Sequence, residues 1–165
     1  PIYPAAWRGH LENLLSAPQK TKKVEHHPAL PWREVGAFMQ ELRTMPGTAA
    51  LATEFIILTN CRTSEAINAT WAEFDLGEKR WTIPAERMKM REEHLVPLSR
   101  QALAILDELK LHTGHRELLF PSQTTITRPM SENTMVYAFG RMGYKGVATP
   151  HGMRALASTT LNEEG

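Results

Sequence analysis

Apolar residues recur at helical spacing through most of the chain and predict a mainly helical protein. After Pro31 and Trp32, a helix is predicted to end before Pro46 and Gly47, and its apolar positions are Val35, Phe38, Met39 and Leu42. A second, almost wholly apolar helix is predicted from 48 to 59. Because it has no polar face, this second helix is expected at the centre of the core.

Between residues 71 and 98 the pattern changes to short extended stretches rich in β-forming residues. These stretches lie at 71–76, 80–84 and 94–98, and the polar loop 86–93 joins the last two. They predict a small antiparallel sheet of about three strands, so the predicted fold class is α+β and mainly α-helical. Most charged residues of the loop are typical of a solvated hairpin, and Lys89 is the one that can reach towards a partner.

The remaining chain predicts three more helices, each with a capping residue. Ser99 caps a helix that ends near Gly114. Ser131 caps the next, and its buried stripe is predicted to comprise Met135, Val136, Phe139 and Met142. Thr149 caps the last helix and is followed by Pro150, which suits the first helical position because the N–H it lacks would be unpaired there.

Composition is ordinary for one globular domain: 165 residues, 42% hydrophobic and 22% charged. No apolar run is long enough to span a membrane, and the first residues neither include Met nor resemble a signal peptide. We therefore expect an excised piece of a longer protein, with residues 1–28 as an interdomain linker and residues 29–165 as the folded domain. The single cysteine, Cys61, excludes an internal disulfide and fits a reducing cytoplasm.

Two places along the chain can carry chemistry. Arg62 follows the most apolar helix, and Thr63 or Ser64 can cap the next helix. An arginine at such a corner is either a structural brace or a fixed reagent that faces a cleft. The brace is the commoner of the two. His151 and Arg154 lie one turn apart at the start of the last helix, where the backbone N–H groups favour an anion. This arrangement suits a phosphate, although a capping histidine beside a surface cation would have the same sequence.

Several short motifs together resemble the tyrosine recombinases, and the prophage-type integrases in particular. The run 58–65 with 71–76 resembles the first-arginine box of that family, and 81–89 with 94–99 resembles its hairpin. Residues 130–134 and 141–144 are similar to a later helix, and 151–154 matches the H-x-x-R box. The resemblance extends from about residue 28 to the end and implies the tyrosine-recombinase catalytic fold.

The resemblance also implies a catalytic set and a reaction. Arg62 matches the first catalytic arginine, Lys89 the hairpin lysine, and His151 and Arg154 the histidine and the second arginine. In this family a tyrosine attacks a DNA phosphodiester, which yields a 3′-phosphotyrosine and a free 5′-hydroxyl without ATP, metal or another cofactor. Arginine forks suit the non-bridging oxygens, and a lysine can protonate the leaving 5′-oxygen. Glu65 is expected to orient Arg62 or to stabilise its helix.

One feature of the family is missing from this chain, because its second histidine (or tryptophan) and its nucleophilic tyrosine follow the H-x-x-R box at a distance. Tyr137 and Tyr144 precede that box, so we expect them to be packing or surface residues. The chain is therefore expected to be truncated before its nucleophile and inactive by itself, while the parent protein recombines DNA attachment sites as a homo-tetramer in a bacterial cytoplasm, on the nucleoid. The fragment alone is expected to be a monomer.

Binding to double-stranded DNA should depend on phosphate contacts, since the net charge is only +1 and must be concentrated on one face. The expected DNA-binding residues beyond the catalytic set are Arg87, Arg91, Arg141 and Lys145. The linker lysines Lys20, Lys22 and Lys23 are either further contacts or a solvated spacer.

Other functions are left open or disfavoured. A DNA-binding or regulatory module without chemistry is the alternative, and a type IB topoisomerase is disfavoured by the integrase-like hairpin and linker. A metal site is not expected, because the pair His26 and His27 is not completed by carboxylates or cysteines, and no carboxylate cluster favours a metal-dependent nuclease.

Overall fold

The computed structural model describes residues 27–88 and 90–164. The predicted linker up to residue 26, with its three lysines, and the predicted catalytic Lys89 lie outside the described residues. The helices of the described part are α1 (Val35–Thr44), α2 (Thr48–Thr59), α3 (Thr63–Ile67), α4 (Arg100–Thr113), α5 (Glu132–Arg141) and α6 (Pro150–Glu164). None of these helices is both long and apolar enough to cross a lipid bilayer.

Helix α2 is the centre of the fold, as its apolar sequence predicts, and it packs against α1, α3, α4, α5 and α6. Its buried side chains include Phe55 and Ile56, which are at most 1% exposed. The polar Glu54 is buried as well, and it is neutralised by an ion pair with Arg43 of α1 at 2.7 Å. A helix in contact with so many others fixes the position of whatever follows its C-terminus.

The sheet is antiparallel in the order β1-β2-β3, with strands β1 (Phe74–Asp75), β2 (Arg80–Ile83) and β3 (His94–Pro97). Trp81 of β2 lies opposite Phe74 on one side and Val96 on the other, so one face of the sheet is apolar. The Trp81 ring is fully buried and stacks on Phe74, with 5.4 Å between ring centroids. The predicted fold class, a mainly helical α+β domain with a three-stranded antiparallel sheet, is confirmed.

A second cluster of buried apolar side chains joins both ends of the described chain. It combines Leu30, just before the first helical turn, with Phe38 of α1, Phe139 of α5 and Met153 of α6. The first turn of α6 is therefore held in the core and cannot swing as a free terminus.

Two local predictions were wrong. The stretch 71–76 is not one strand, because residues Trp71–Glu73 form a 3₁₀ turn and only Phe74–Asp75 pairs with β2. The Trp71 indole N–H donates to the Thr113 carbonyl at 2.9 Å, which holds this turn against the end of α4. In α5, Met135, Phe139 and Met142 are buried as predicted, but Val136 is 48% exposed.

Candidate phosphate-binding site

The first side of the site is the corner that follows α2. Asn60 ends the helix in the left-handed conformation, with φ 51° and ψ 25°, which asparagine adopts more readily than most residues. The chain then buries Cys61, which is 3% exposed, and presents Arg62 with about half of its side chain exposed. Arg62 is thus fixed at the surface directly beside the most buried helix.

Glu65 holds Arg62 through two hydrogen bonds. The backbone N–H of Arg62 donates to Glu65 Oε2 at 2.7 Å, and the guanidinium Nη1 donates to Oε1 at 2.5 Å. The expectation that Glu65 orients Arg62 or stabilises its helix is confirmed, because one carboxylate oxygen holds the guanidinium and the other accepts the N–H at the start of the helix. The expectation that Thr63 or Ser64 caps the helix is wrong, because Arg62 is the N-cap and the Glu65 carboxylate supplies the acceptor for its N–H.

The second side of the site is the N-terminus of α6. Thr149 caps the helix as predicted, because its hydroxyl oxygen accepts the Gly152 N–H at 3.0 Å. His151 is exposed in the first turn, and its ring meets the edge of His27 with 4.7 Å between centroids. Segment 27–30 crosses this turn, and the Pro28 carbonyl accepts the Thr149 N–H at 3.0 Å.

Arg154 joins the two sides. Its guanidinium Nε donates to the Asn60 carbonyl at 2.9 Å, across 94 residues of sequence. That carbonyl is freed by the left-handed end of α2 and lies two residues before Arg62. The structure therefore brings Arg154 onto the corner that presents Arg62, with His151 one turn before Arg154 on α6.

The buried thiol of Cys61 lies in the same corner, between Asn60 and Arg62. Burial raises its pKa from 9.0 to about 12; the Glu65 charge adds to the increase, and the Arg154 charge opposes it. Both charged groups are thus close enough to act on one buried atom. Cys61 stays a neutral packing residue at ordinary pH.

The predicted DNA-binding residues fall into two environments. Arg91, Arg141 and Lys145 are exposed. Arg87 is instead 22% exposed and engaged within the protein, where it forms an ion pair with Glu73 and donates to the Glu65 carbonyl.

Residues 29–165 match the model of the phage integrase family. The chain belongs to the phage integrase family. The integrase of Enterobacteria phage P4 is 41% identical over 161 residues, and the alignment covers 88% of this chain and 37% of that protein. The chain therefore spans little more than a third of the length of that relative.

Solved structures agree on the fold. The integrase of transposon Tn1549, solved in complex with transposon right end DNA, matches with a TM-score of 0.71 at 16% identity, over 96% of this chain and 59% of that one. The recombinase XerA matches with a TM-score of 0.66 at 20% identity, over 88% of this chain and 54% of that one. The fold is that of a tyrosine recombinase catalytic domain, as the sequence motifs predict.

In this phage integrase domain the corner has the chemistry of an anion site. The Arg154 guanidinium is hydrogen-bonded two residues before Arg62, beside the positive end of α6, and such groups suit an anion. The described residues contain no group of three or more side chains that could hold a metal ion. The Glu65 carboxylate holds one side of the Arg62 guanidinium, and the Asn60 carbonyl holds one side of the Arg154 guanidinium. A guanidinium has five N–H donors, so each arginine retains donors for a phosphate.

Sequence reasoning missed three contributors: the Asn60 carbonyl, the ion pair of Arg87 with Glu73, and the close approach of Pro28 to Gly152. Only the last has a local signal. Glycine is unfavourable inside a helix, so Gly152 in the first turn of α6 indicates that another backbone comes close.

Proposed function

We propose that this chain is the phosphate-binding part of a site-specific DNA recombinase, an integrase that breaks and rejoins strands through a tyrosine–phosphate bond. The observation that carries the proposal is the hydrogen bond of Arg154 to the Asn60 carbonyl, two residues before Arg62. A protein that only binds DNA has no need to bring arginines from distant parts of the chain to one corner. This bond therefore favours the recombinase over a regulatory DNA-binding module.

In the proposed reaction, Arg62 and Arg154 hold the non-bridging oxygens of the scissile phosphate. Negative charge on these oxygens grows as the nucleophile approaches, and rigid donors stabilise it without having to reorganise. The bonds to Glu65 and to the Asn60 carbonyl supply that rigidity. His151 hydrogen-bonds a phosphate oxygen or assists the movement of a proton to and from the nucleophile.

The covalent step exchanges one phosphorus–oxygen bond for another. The hydroxyl oxygen of a tyrosine elsewhere in the whole protein attacks phosphorus and gives up its proton to His151 or to water. The bond from phosphorus to the 5′-oxygen breaks, and Lys89 gives a proton to that oxygen. The product is a 3′-phosphotyrosine with a free 5′-hydroxyl. Attack by the 5′-hydroxyl of a partner strand reverses the step, so no cofactor is needed.

The proposed partner is double-stranded DNA at an attachment site, bound by four copies of the whole protein on the nucleoid of a bacterial host. The Tn1549 integrase, whose fold this chain shares, was solved with transposon end DNA, and this supports a DNA partner. Exposed Arg91, Arg141 and Lys145 supply further phosphate contacts in this proposal.

The test is binding of the 165-residue chain to a duplex of arbitrary sequence, measured by fluorescence anisotropy over a series of salt concentrations. Arg62→Gln and Arg154→Gln should each weaken binding, and each should reduce the slope of log K against log salt by about 0.9, the value for one lost phosphate contact.

Arg100→Gln is the matched control. Its neighbour Gln101 lines a cavity with Gly47, so Arg100 lies near the start of α2, whereas Asn60 lies at the other end. The control should keep the slope of the unchanged chain. Equal slopes for all three variants would refute a phosphate site at this corner.

A further inference from the structure

Arg87 lies at the base of the loop that joins β2 to β3. It ends the 3₁₀ turn Ala85–Arg87, which Pro84 separates from β2, and the predicted catalytic Lys89 comes two residues later. Its guanidinium forms an ion pair with Glu73 through Nη1 and donates to the Glu65 carbonyl through Nη2. The side chains of Arg87 and Glu73 are only 22% and 9% exposed, so this pair is not an ordinary surface ion pair.

Glu73 is fixed on its other side as well. The indole N–H of the fully buried Trp81 donates to Glu73 Oε2 at 2.8 Å, while Oε1 receives Arg87. With one donor on each oxygen, the carboxylate cannot rotate without breaking a bond that is shielded from water. Arg87 is thus linked through Glu73 to the buried Trp81 of the core.

The link from Arg87 to the candidate site runs through Glu65. The carbonyl of Glu65 accepts from Arg87, and its carboxylate accepts both the N–H and the guanidinium of Arg62. A change at Arg87 therefore reaches Arg62 through one intervening residue, although Arg87 and Glu65 are 22 residues apart in sequence.

We propose that Arg87 is a positioning residue of this site: through Glu65 it fixes the orientation of Arg62 towards the DNA phosphate, and it does not contact DNA itself. The inference rests on the function proposed above. It replaces the direct DNA contact that the sequence predicts for Arg87. The Arg87 side chain is only 22% exposed, against 48% for Arg62, and both of its terminal nitrogens already donate to acceptors within the protein.

Two variants separate positioning from direct contact. Arg87→Met breaks the chain of contacts at the arginine, and Glu73→Gln breaks it at the partner while keeping the shape of the side chain. If Arg87 is a positioning residue, both variants weaken DNA binding by about threefold or more. If Arg87 contacts DNA, Glu73→Gln frees a cation and strengthens binding, opposite in sign to Arg87→Met.

A double-mutant cycle with Arg62 tests the route. In an Arg62→Gln background, Arg87→Met should cause no further loss of DNA affinity. A residue that acts only by positioning the Arg62 guanidinium has no effect once that guanidinium is absent. A direct contact would cost the same factor in both backgrounds and would lower the salt slope by about 0.9. Either of these two results overturns the proposal.

A measurement without DNA keeps this inference separate from the proposed function. Hydrogen exchange of the Arg62 backbone N–H, which donates to Glu65, should be about tenfold faster in Arg87→Met and in Glu73→Gln. Arg91→Gln, a change of an exposed arginine in the same loop, should leave the rate unchanged. Arg87→Lys retains a charge for Glu73 but not the fork, and should restore part of the protection.

The outcomes are distinct. If Arg62→Gln does not alter DNA affinity, the proposed function fails, and faster exchange in the Arg87 and Glu73 variants still establishes positioning. Exchange equal to that of Arg91→Gln in both variants overturns the positioning role, whatever the DNA affinities are. Both comparisons are made at a temperature where urea unfolding shows every variant to be folded.

Discussion

Gly152 shows how closely two backbones approach beside the candidate site. A Cβ built on this residue would lie 1.9 Å from the Pro28 carbonyl oxygen and 2.6 Å from its carbon. Both atoms belong to the backbone, so neither can move away as the end of a side chain can. The glycine is required by segment 27–30, which crosses the first turn of α6.

Gly152→Ala should lower the free energy of unfolding by about 1–3 kcal/mol, the usual cost of forcing an extra group into a packed site. Gly140→Ala, also in a helix, meets nothing within 4 Å and should instead stabilise the protein by about 0.5–1 kcal/mol. Urea denaturation measures both values. Equal effects of the two substitutions would show that Pro28 does not lie against α6 in solution.

Cys61 predicts a pH dependence of stability with a definite sign. Its pKa is raised from 9.0 to about 12 in the folded protein, so above pH 9 the unfolded chain loses the thiol proton while the folded protein keeps it. The contribution to stability is complete below pH 9.0 and is lost as the pH rises towards about 12. Between these values the loss approaches about 1.4 kcal/mol per pH unit.

The measurement compares the unchanged protein with Cys61→Ala by urea unfolding at about pH 8 and pH 10. The difference in free energy of unfolding between the two pH values should be smaller in the variant, because the thiol is its source. Other titrating groups contribute equally to both proteins and cancel. The same pH dependence in both would contradict the assigned burial of the thiol.

At the scale of elements, the helices and two of the three strands followed from local signals, whereas side-chain partners did not. Ser99, Ser131 and Thr149 each accept an N–H from the first turn of the helix that they were predicted to cap. The bonds of Arg154 to Asn60 and of Arg87 to Glu65 span 94 and 22 residues, and no local pattern encodes such pairs. The sequence motifs name candidate residues for the site but not the contacts that hold them.

Two helix caps give a test at this scale. Thr149→Val and Ser131→Ala each remove one capping oxygen and should each cost about 1 kcal/mol of stability. Only Thr149→Val should also weaken DNA binding, since α6 is the helix whose N-terminus faces the proposed phosphate. Loss of affinity in both variants would mean that stability, and not the geometry of α6, limits binding.

At the scale of the whole molecule, a net charge of +1 means that DNA affinity depends on where charges lie. The reactivity of the Tyr144 phenol likewise depends on the charge beside it. The Tyr144 hydroxyl donates to Glu41 at 3.2 Å, and partial burial together with that carboxylate raises the pKa of Tyr144 above 10.0. A raised pKa makes the phenol harder to ionise and a poorer nucleophile. Tyr137 is 67% exposed on α5.

We therefore expect the 165-residue chain to bind duplex DNA without forming a covalent adduct on either residue. The measurement is denaturing electrophoresis of end-labelled duplexes after incubation with the chain, where a protein–DNA adduct would migrate slowly. The Tyr137→Phe and Tyr144→Phe variants serve as controls. An adduct that one of them abolishes would identify that tyrosine as a nucleophile and refute the expectation.

The contact of Thr149 with Pro28 has a consequence for the order in which the molecule assembles. It joins residues 121 apart in sequence, so nearly all of the described chain forms the loop that it closes. Closing so long a loop in an unfolded chain costs conformational entropy that one hydrogen bond does not offset. The contact therefore becomes favourable only when most of the loop is already ordered. We expect the first turn of α6 to be completed among the last steps of folding.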